Sequence, residues 1–503
     1  MPHRSGRGDR FLAAGKGVAV NSSLRRFACL AYRRLSRAGA GVKPPCIEPS
    51  LIQQEHIKVS SPMSSTTYFP RWRKVQGGAS GLVVQPDERL GWPQNIAMGA
   101  QHVVAMFGST ILAPILMGFD PNVCILMSGI GTLIFFVFVR GRVPSYLGSS
   151  FAFIGGVIAV TGYAGAGANA NAGLALGAII VCGFVYMLIG LLVWWMDARV
   201  GGAADTINRL MPPVVTGAIV AVIGLNLAPI AAKGAMGGST FDAMMAMMTV
   251  LCVGGIAVYT RGAVQRLLIL VGLLLACVIY GVLTNGLGMG TPVDFSHIAA
   301  APWLGLPRFE SPVFEPHAIS VIAPVAIILV AENLGHIKAV SAMTGRNLDK
   351  YLGRAFVGDG VATMLSGAVG GTGVTTYAEN IGVMTVTKIY STLVFVIAAL
   401  IAILLGFSPK FGAVIQAIPA PVLGGMSVVV FGLIAVAGAR IWVVNQVDFS
   451  ENRNLIVAAV TLILGAGNFS VQIGAFKLDG IGTATFGAII LYALLSRGKS
   501  EAA

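Results

Sequence analysis

The stretch CILMSGIGTLIFFVFV (Cys124–Val139) carries no charged residue, and neither does LLILVGLLLACVIYGVL (Leu267–Leu283). A hydrocarbon core about 30 Å thick needs about 20 apolar residues of helix to cross it, and runs of this kind recur along the chain. A membrane β-barrel would instead show segments of roughly ten residues alternating apolar and polar, a pattern that is absent. Composition agrees: of 503 residues 55% are apolar and 11% charged, where a soluble domain carries roughly a quarter charged residues. The expected class is an all-α polytopic membrane protein.

Fourteen apolar spans are expected, beginning near Asn95, Asn122, Tyr146, Gly173, Met211, Asp242, Leu267, Ala318, Arg354, Val374, Tyr390, Ala413, Leu455 and Gly480. With the amino terminus placed in the cytoplasm, alternate loops can be tested for basic residues, which favour the inside face. The inside loops carry Arg140, Arg142, Arg199, Arg209, Arg261, Arg266, Lys338, Arg346, Lys350, Arg354, Lys388, Arg440, Arg453, Arg497 and Lys499. The outside loops carry Lys233, Arg308, Lys410 and Lys477, so the ratio is 15 to 4. An error of one span would invert every later loop and destroy this bias. It supports a multi-pass chain with both termini cytoplasmic.

The long connection 285–317 divides the spans seven and seven. Seven is odd, so the second half enters the membrane from the opposite face, as in an inverted repeat. The expected organisation is a basic tail (1–86), a first seven-span repeat (87–284), an extracytoplasmic connection (285–317), a second repeat (318–497) and a short cytoplasmic tail (498–503). Much of the net charge of +14 sits in the tail, where residues 1–62 hold 11 Lys/Arg against 3 Asp/Glu. The remainder is largely in short loops, so nucleic acid is not an expected partner. LRRFACLAYRRLSR (24–37) reads as a disordered segment or one not made at all, or alternatively as a transit peptide or surface-lying amphipathic stretch. Met63 is an alternative start.

The third and tenth spans, VPSYLGSSFAFIGG (143–156) and GGTGVTTYAENIG (370–382), are poor helices. Gly, Ser, Thr and Pro interrupt them, freeing backbone groups that are tolerated at membrane depth only against protein or a cavity. Such interruptions at matching positions of two halves point to a transporter's binding site. Two acidic residues lie close by in sequence or depth. Glu332 follows VIAPVAIILVA, and Glu379 lies inside the tenth span. Carboxylates at this depth are costly and mark substrate, ion or proton paths. His336 is four residues beyond Glu332 and shares its face if the helix continues, where it could donate to Glu332, relay a proton or simply pack. Gln101 and His102 form a polar pair in the first span that braces the site or touches substrate, and Asp359 is a weaker candidate that caps or braces a helix.

Other signals carry little. GAVGGTG (367–373) has no βαβ unit around it, no Walker sequence is present, and the six cysteines show neither metal nor disulfide spacing. No nucleophile–base arrangement suggests an enzyme. No cofactor or metal is expected.

ENIGVMTVTK (Glu379–Lys388) matches at every position a signature of Gln, Glu or Pro, then Asn, any residue, Gly, four residues, Thr, and Arg, Lys or Gly. Together with QHVVAMFG, VPSYLGSSFAF, AENLGH and GVTTYAENIG, it makes residues 85–497 resemble the nucleobase–ascorbate transporter family, and most closely its pyrimidine permeases of the uracil-catabolism type. The resemblance implies fourteen spans in two inverted halves, with spans 1–4 and 8–11 as a core domain and spans 5–7 and 12–14 as a gate domain. It also implies a homodimer in the inner membrane, and short extended strands in spans 3 and 10. Carried over, the substrate-binding positions are Phe151, Glu332, Tyr377, Ala378 and Glu379. His336 and His102 belong to the hydrogen-bond or proton-coupling network, and Asn380 supports the second strand. Ala378 stands where uracil transporters often have Gly, and Phe431 where some relatives have Tyr. The implied activity is import of uracil, or thymine or a related pyrimidine, with a proton as coupling ion. Xanthine or urate on the same scaffold, a passive facilitator or channel, and an anion exchanger of similar fold are the alternatives.

Overall fold

The computed structural model describes residues 67–75, 83–163, 167–236, 238–473 and 476–497. The expectations for residues 1–66 and 498–503 lie outside the described residues. In the first half, helices α1 (Trp92–Met117) and α2 (Pro121–Phe138) are followed by strand β1 (Leu147–Ser149) and the short helix α3 (Ile154–Thr161). Then come α4 (Ala172–Arg199), α5 (Pro213–Asn226), α6 (Thr240–Tyr259) and α7 (Leu268–Gly281). The second half holds α8 (Val325–Thr344), α9 (Leu352–Ala368), strand β2 (Val374–Thr376) and α10 (Ala378–Thr387). It ends with α11 (Thr392–Gly406), α12 (Ala420–Val444), α13 (Asn452–Ala466) and α14 (Gly480–Arg497).

Local chemistry sets several of these boundaries. Pro121 occupies the first turn of α2, where its missing N–H costs nothing, and the Asp120 carboxylate accepts from the Asn122 N–H at 2.7 Å. Helix α1 ends at Gly118, whose φ of 72° is the left-handed conformation that glycine adopts without strain. Among the described residues, eight helices are long and apolar enough to cross a membrane. A ninth is added if α11 and the helix Pro409–Gln416, bent from it by 83°, are taken together. The twelfth span therefore does not begin near Ala413. That residue lies in the separate helix Pro409–Gln416, and α12 starts only after Pro419, because prolines at 409, 419 and 421 favour first-turn positions and interrupt a continuous helix.

Helix packing pairs α4 with α9 and α2 with α11, with α2 also against α9. A second group pairs α5 with α12 and α13, α12 with α6, α6 with α7, and α13 with α14. Glycines allow the closest approaches. A Cβ built at Gly360 on α9 would lie 2.6 Å from the Met187 nitrogen and 2.8 Å from the Gly183 oxygen of α4. One at Gly224 of α5 would lie 2.6 Å from the Ala435 nitrogen of α12. In lipid, where apolar surface gains little from helix contact, this close backbone packing is a main source of association.

At the centre of the first group, β1 and β2 pair antiparallel, Leu147 opposite Thr376 and Ser149 opposite Val374. The ladder is lengthened by Ser150 N–H to Gly373 O at 2.9 Å and Tyr377 N–H to Tyr146 O at 3.0 Å. Its outer groups are met by threonines of the flanking helices. Thr132 of α2 accepts from the Leu147 N–H at 2.9 Å, and Thr363 of α9 accepts from the Val374 N–H at 3.2 Å. The 285–317 connection is fixed to this group by Val313 N–H to Gly173 O at 2.8 Å and Gly305 N–H to Phe407 O at 2.9 Å.

Gly360→Ala should force α4 and α9 apart and destabilise the protein by about 1–3 kcal/mol, the usual cost of overpacking. Thermal unfolding in detergent should show it as a lowered midpoint. Gly432→Ala, where nothing lies within 4 Å of the added methyl, should leave that midpoint unchanged or raise it.

Candidate functional site

Helix α8 continues well beyond Glu332, so Glu332 and His336 do lie one turn apart on a single face. Ser150, the residue after β1, donates its hydroxyl to Glu332 Oε2 at 3.3 Å while its oxygen accepts from the Ala152 N–H at 3.3 Å. Ser150 thereby caps the 3₁₀ turn Phe151–Phe153 and ties it to α8. His336 is not joined to Glu332. Its Nδ1 lies 2.9 Å from the Thr376 hydroxyl at the end of β2.

Glu379 occupies the first turn of α10, where the helix dipole favours negative charge. The Ser109 hydroxyl of α1 donates to Glu379 Oε1. Tyr377, one residue before α10, provides no side-chain cap. Its hydroxyl instead donates to Ser149 O at 2.9 Å and accepts from Thr110 at 3.2 Å, which fixes the buried ring behind β1. Ala378, between Tyr377 and Glu379, is exposed. Asn380 reaches α1, its amide donating to His102 O at 3.1 Å and lying 3.0 Å from His102 Nδ1. It therefore ties α10 to α1. His102 is fully buried, with its ring 4.6 Å from that of Phe395. It braces α1 against α10 and α11.

Phe151 is buried, and its ring meets that of Phe431 on α12 edge to face, with centroids 5.8 Å apart. This contact joins the strand-bearing group to the second helix group. Asp359 is fully buried on α9, where its Oδ2 accepts from the Asn333 amide of α8. Both of the main carboxylates are held by serine hydroxyls, one serine from each of two chain segments far apart in sequence.

Two cavities lie between the helix groups. One of about 530 Å³ is lined by Glu379 and Val383 of α10, Val104 of α1, Gln265, Ile269 and Leu433. The other, about 970 Å³, is lined by Ile115, Tyr163, Lys233, Asp242, Tyr280 and Ser427 and touches neither Glu332 nor Glu379. The larger cavity is thus not where Glu332 and Glu379 are. Gly108 sits between residues lining the two, so close to Ile269 and Met426 that a Cβ there would be 3.2 Å from the Met426 methyl and closer still to Ile269.

Sequence reasoning missed Ser109, Ser150, Asn333 and Thr376. A signal existed for Ser109. It is seven residues, two helical turns, beyond His102, so the two share a face of α1. Asn333 adjoins Glu332 but points to a different helix, α9. Nothing in the linear sequence joins Thr376 to His336. Among the described residues no cluster of three His, Cys, Asp or Glu could hold a metal ion.

This arrangement can be set beside known proteins. The profile of the Permease family, Xan_ur_permease, matches residues 93–474. The putative pyrimidine permease RutG of Escherichia coli K12 is 66% identical over 85% of this chain and 96% of its own. The uracil permease of Paenibacillus larvae is 41% identical over 81% of this chain and 96% of its own. Among solved structures, the transmembrane domain of the cyanobacterial bicarbonate transporter BicA aligns with a TM-score of 0.51 at 15% identity, covering 80% of this chain and 97% of that one. The murine anion transporter Slc26a9 aligns with a TM-score of 0.57 at 10% identity, covering 81% and 69%. At such identities the likeness is one of fold alone. With its profile match across most of the chain and permease relatives matched nearly end to end, this membrane-embedded chain belongs to the Xan_ur_permease family and is a transporter, not an enzyme.

Proposed function

We propose that the chain imports uracil, or a closely related pyrimidine such as thymine, across the inner membrane by proton symport. The observation that carries this reading is the placing of two carboxylates, Glu332 and Glu379, at the paired strands. Uracil is flat and neutral, with two N–H donors and two carbonyl acceptors. Glu332 and Glu379 accept from its N–H groups, backbone N–H groups at Phe151 and Ala378 donate to its carbonyls, and the Phe151 ring packs on its face. Tyr377 contributes by holding β1 and the start of α10 in place. Relatives named as pyrimidine and uracil permeases support the substrate class. The solved anion transporters share only the fold, and the serine-held carboxylates here suit a neutral N–H donor better than an anion.

The architecture in this reading is fourteen spans, α1 to α14 with β1 and β2 opening spans 3 and 10, in two inverted halves of seven. The boundaries are 87–284 and 318–497 about the extracytoplasmic connection 285–317. Equivalent spans differ by seven, and the packing supports this: the α4–α9 contact corresponds to α11–α2, and α6–α12 to α13–α5. Spans 1–4 and 8–11 form the core and spans 5–7 and 12–14 the gate, in a homodimer with both termini cytoplasmic. Protonation of Glu332, with His336, His102 and Asn380 in the supporting network, favours the loaded carrier. Movement of core against gate opens the site to alternate sides. A neutral base feels no force from the membrane potential, so accumulation needs such coupling. No other cofactor is involved.

Radiolabelled uracil uptake in cells lacking their own permeases should be saturable, should collapse with a protonophore, and should no longer accumulate the base in Glu332→Gln, whose amide cannot take up and release the coupling proton. Uptake indifferent to protonophore and pH would overturn the symport mechanism. Displacement by xanthine but not by uracil would favour a purine permease, and conductance without saturation a channel. Ala378→Gly should raise thymine uptake relative to uracil by about tenfold, since one methyl in a pocket is worth about that much. An unchanged ratio would remove Ala378 from the pocket.

A further inference from the structure

Asp359 plays no part in the transport scheme, yet it is fully buried and begins a chain of polar contacts that ends at His336. The direction of each hydrogen bond in that chain follows from what each group can donate. The Asn333 side chain lies between Asp359, Tyr186 and Thr376. The Asn333 amide nitrogen lies against Asp359 Oδ2, which accepts from it. The same nitrogen donates to the Tyr186 oxygen at 2.9 Å, and the Tyr186 hydroxyl passes its own proton to Leu329 O at 3.3 Å. The Asn333 oxygen is thus turned toward Thr376, whose hydroxyl donates to it at 3.4 Å. Thr376 has a single hydroxyl proton. With that proton directed to Asn333, its oxygen can only accept from His336 Nδ1, 2.9 Å away.

We infer that Asp359 is a positioning residue which, through Asn333 and Thr376, fixes the proton of neutral His336 on Nδ1 and leaves Nε2 as the ring's open acceptor. Which ring nitrogen carries the proton is set by the partner of the other, so a carboxylate two residues removed along the hydrogen-bond chain dictates what His336 can do at the site. Reversing the chain needs a donor at position 359. If Asp359 held a proton, the Asn333 amide could turn over, Thr376 could donate to His336, and the ring proton would move to Nε2. The polarity rests on the hydrogen-bond geometry with Asp359 as acceptor, while its consequence for transport rests on the proton-symport reading.

The test is nitrogen NMR of the full chain in lipid bilayers, labelled with ¹⁵N-histidine, at mildly alkaline pH. The chain has 6 histidines, and the signal lost in His336→Gln identifies the one that matters. Wild-type His336 should be a single species protonated at Nδ1. Asp359→Asn presents Asn333 with either a donor or an acceptor, so the signal should split into both tautomers. Thr376→Val removes the acceptor and should abolish the single Nδ1–H form, whereas Thr376→Ser should keep it. A wild-type ring protonated at Nε2, or an Asp359→Asn ring still wholly Nδ1–H, would overturn the inference. Where Asp359→Asn yields no folded protein, Thr376→Val decides, and an unchanged ring there overturns it too. Uptake measured on the same variants separates the two claims. The expected tautomers without proton-coupled uptake would leave this inference standing and remove the transport reading.

Discussion

Two short stretches of extended backbone, Leu147–Ser149 and Val374–Thr376, lie inside a bundle of apolar helices, where each unpaired N–H or C=O would cost several kcal/mol. They satisfy one another across an antiparallel pairing, and hydroxyl groups from α2 and α9 serve the edges that the pairing leaves open. Much else follows from this. Thr132 and Thr363 can reach the strands only if α2 and α9 pack directly against them, and those helices in turn hold α11 and α4. The residues just past each strand then have fixed directions. Ser150 meets Glu332, and Glu379 emerges in the first turn of α10 against Ser109.

Packing within the two helix groups differs from packing between them in its use of glycine. Within each group, glycines bring backbones into contact, as at Gly360 against Gly183 and Gly438 against Gly217. Between the groups the contact is narrower and made by side chains. Phe151 meets Phe431, and Ile269 and Met426 rest on Gly108, with cavities on either side. Dense packing within bodies and sparse packing between them is the condition under which one body can shift against another as a unit.

Helix α1 belongs to both regions. Over three consecutive residues it meets Ile269 at Gly108, the Glu379 carboxylate at Ser109 and the Tyr377 hydroxyl at Thr110. A displacement of the second helix group is therefore felt at the same turn that orients an acidic residue of the site. On the other side, α8 plays a comparable part. It presents Glu332 and His336 on one face and Asn333 to α9 on another, so the groups at the strand pair are supported from the helix interior.

That the chain is helical and membrane-embedded is legible in its residues alone, because long uncharged apolar runs have no other stable environment. The sequence also marks the two interrupted segments and the acidic residues near them, since Gly, Ser, Thr and Pro within an apolar span, and a carboxylate at depth, are costly enough to be informative one residue at a time. The start of helix α12 is not legible in the sequence, because Pro409, Pro419 and Pro421 act at a bend whose angle depends on packing. Packing in three dimensions selects which hydroxyl meets which carboxylate, turns the Tyr377 hydroxyl to Ser149 and Thr110, and sets His336 against Thr376 instead of Glu332. These are contacts between residues forty to nearly three hundred positions apart, and a hydrogen bond is fixed by separations of a few tenths of an ångström that composition and periodicity do not encode.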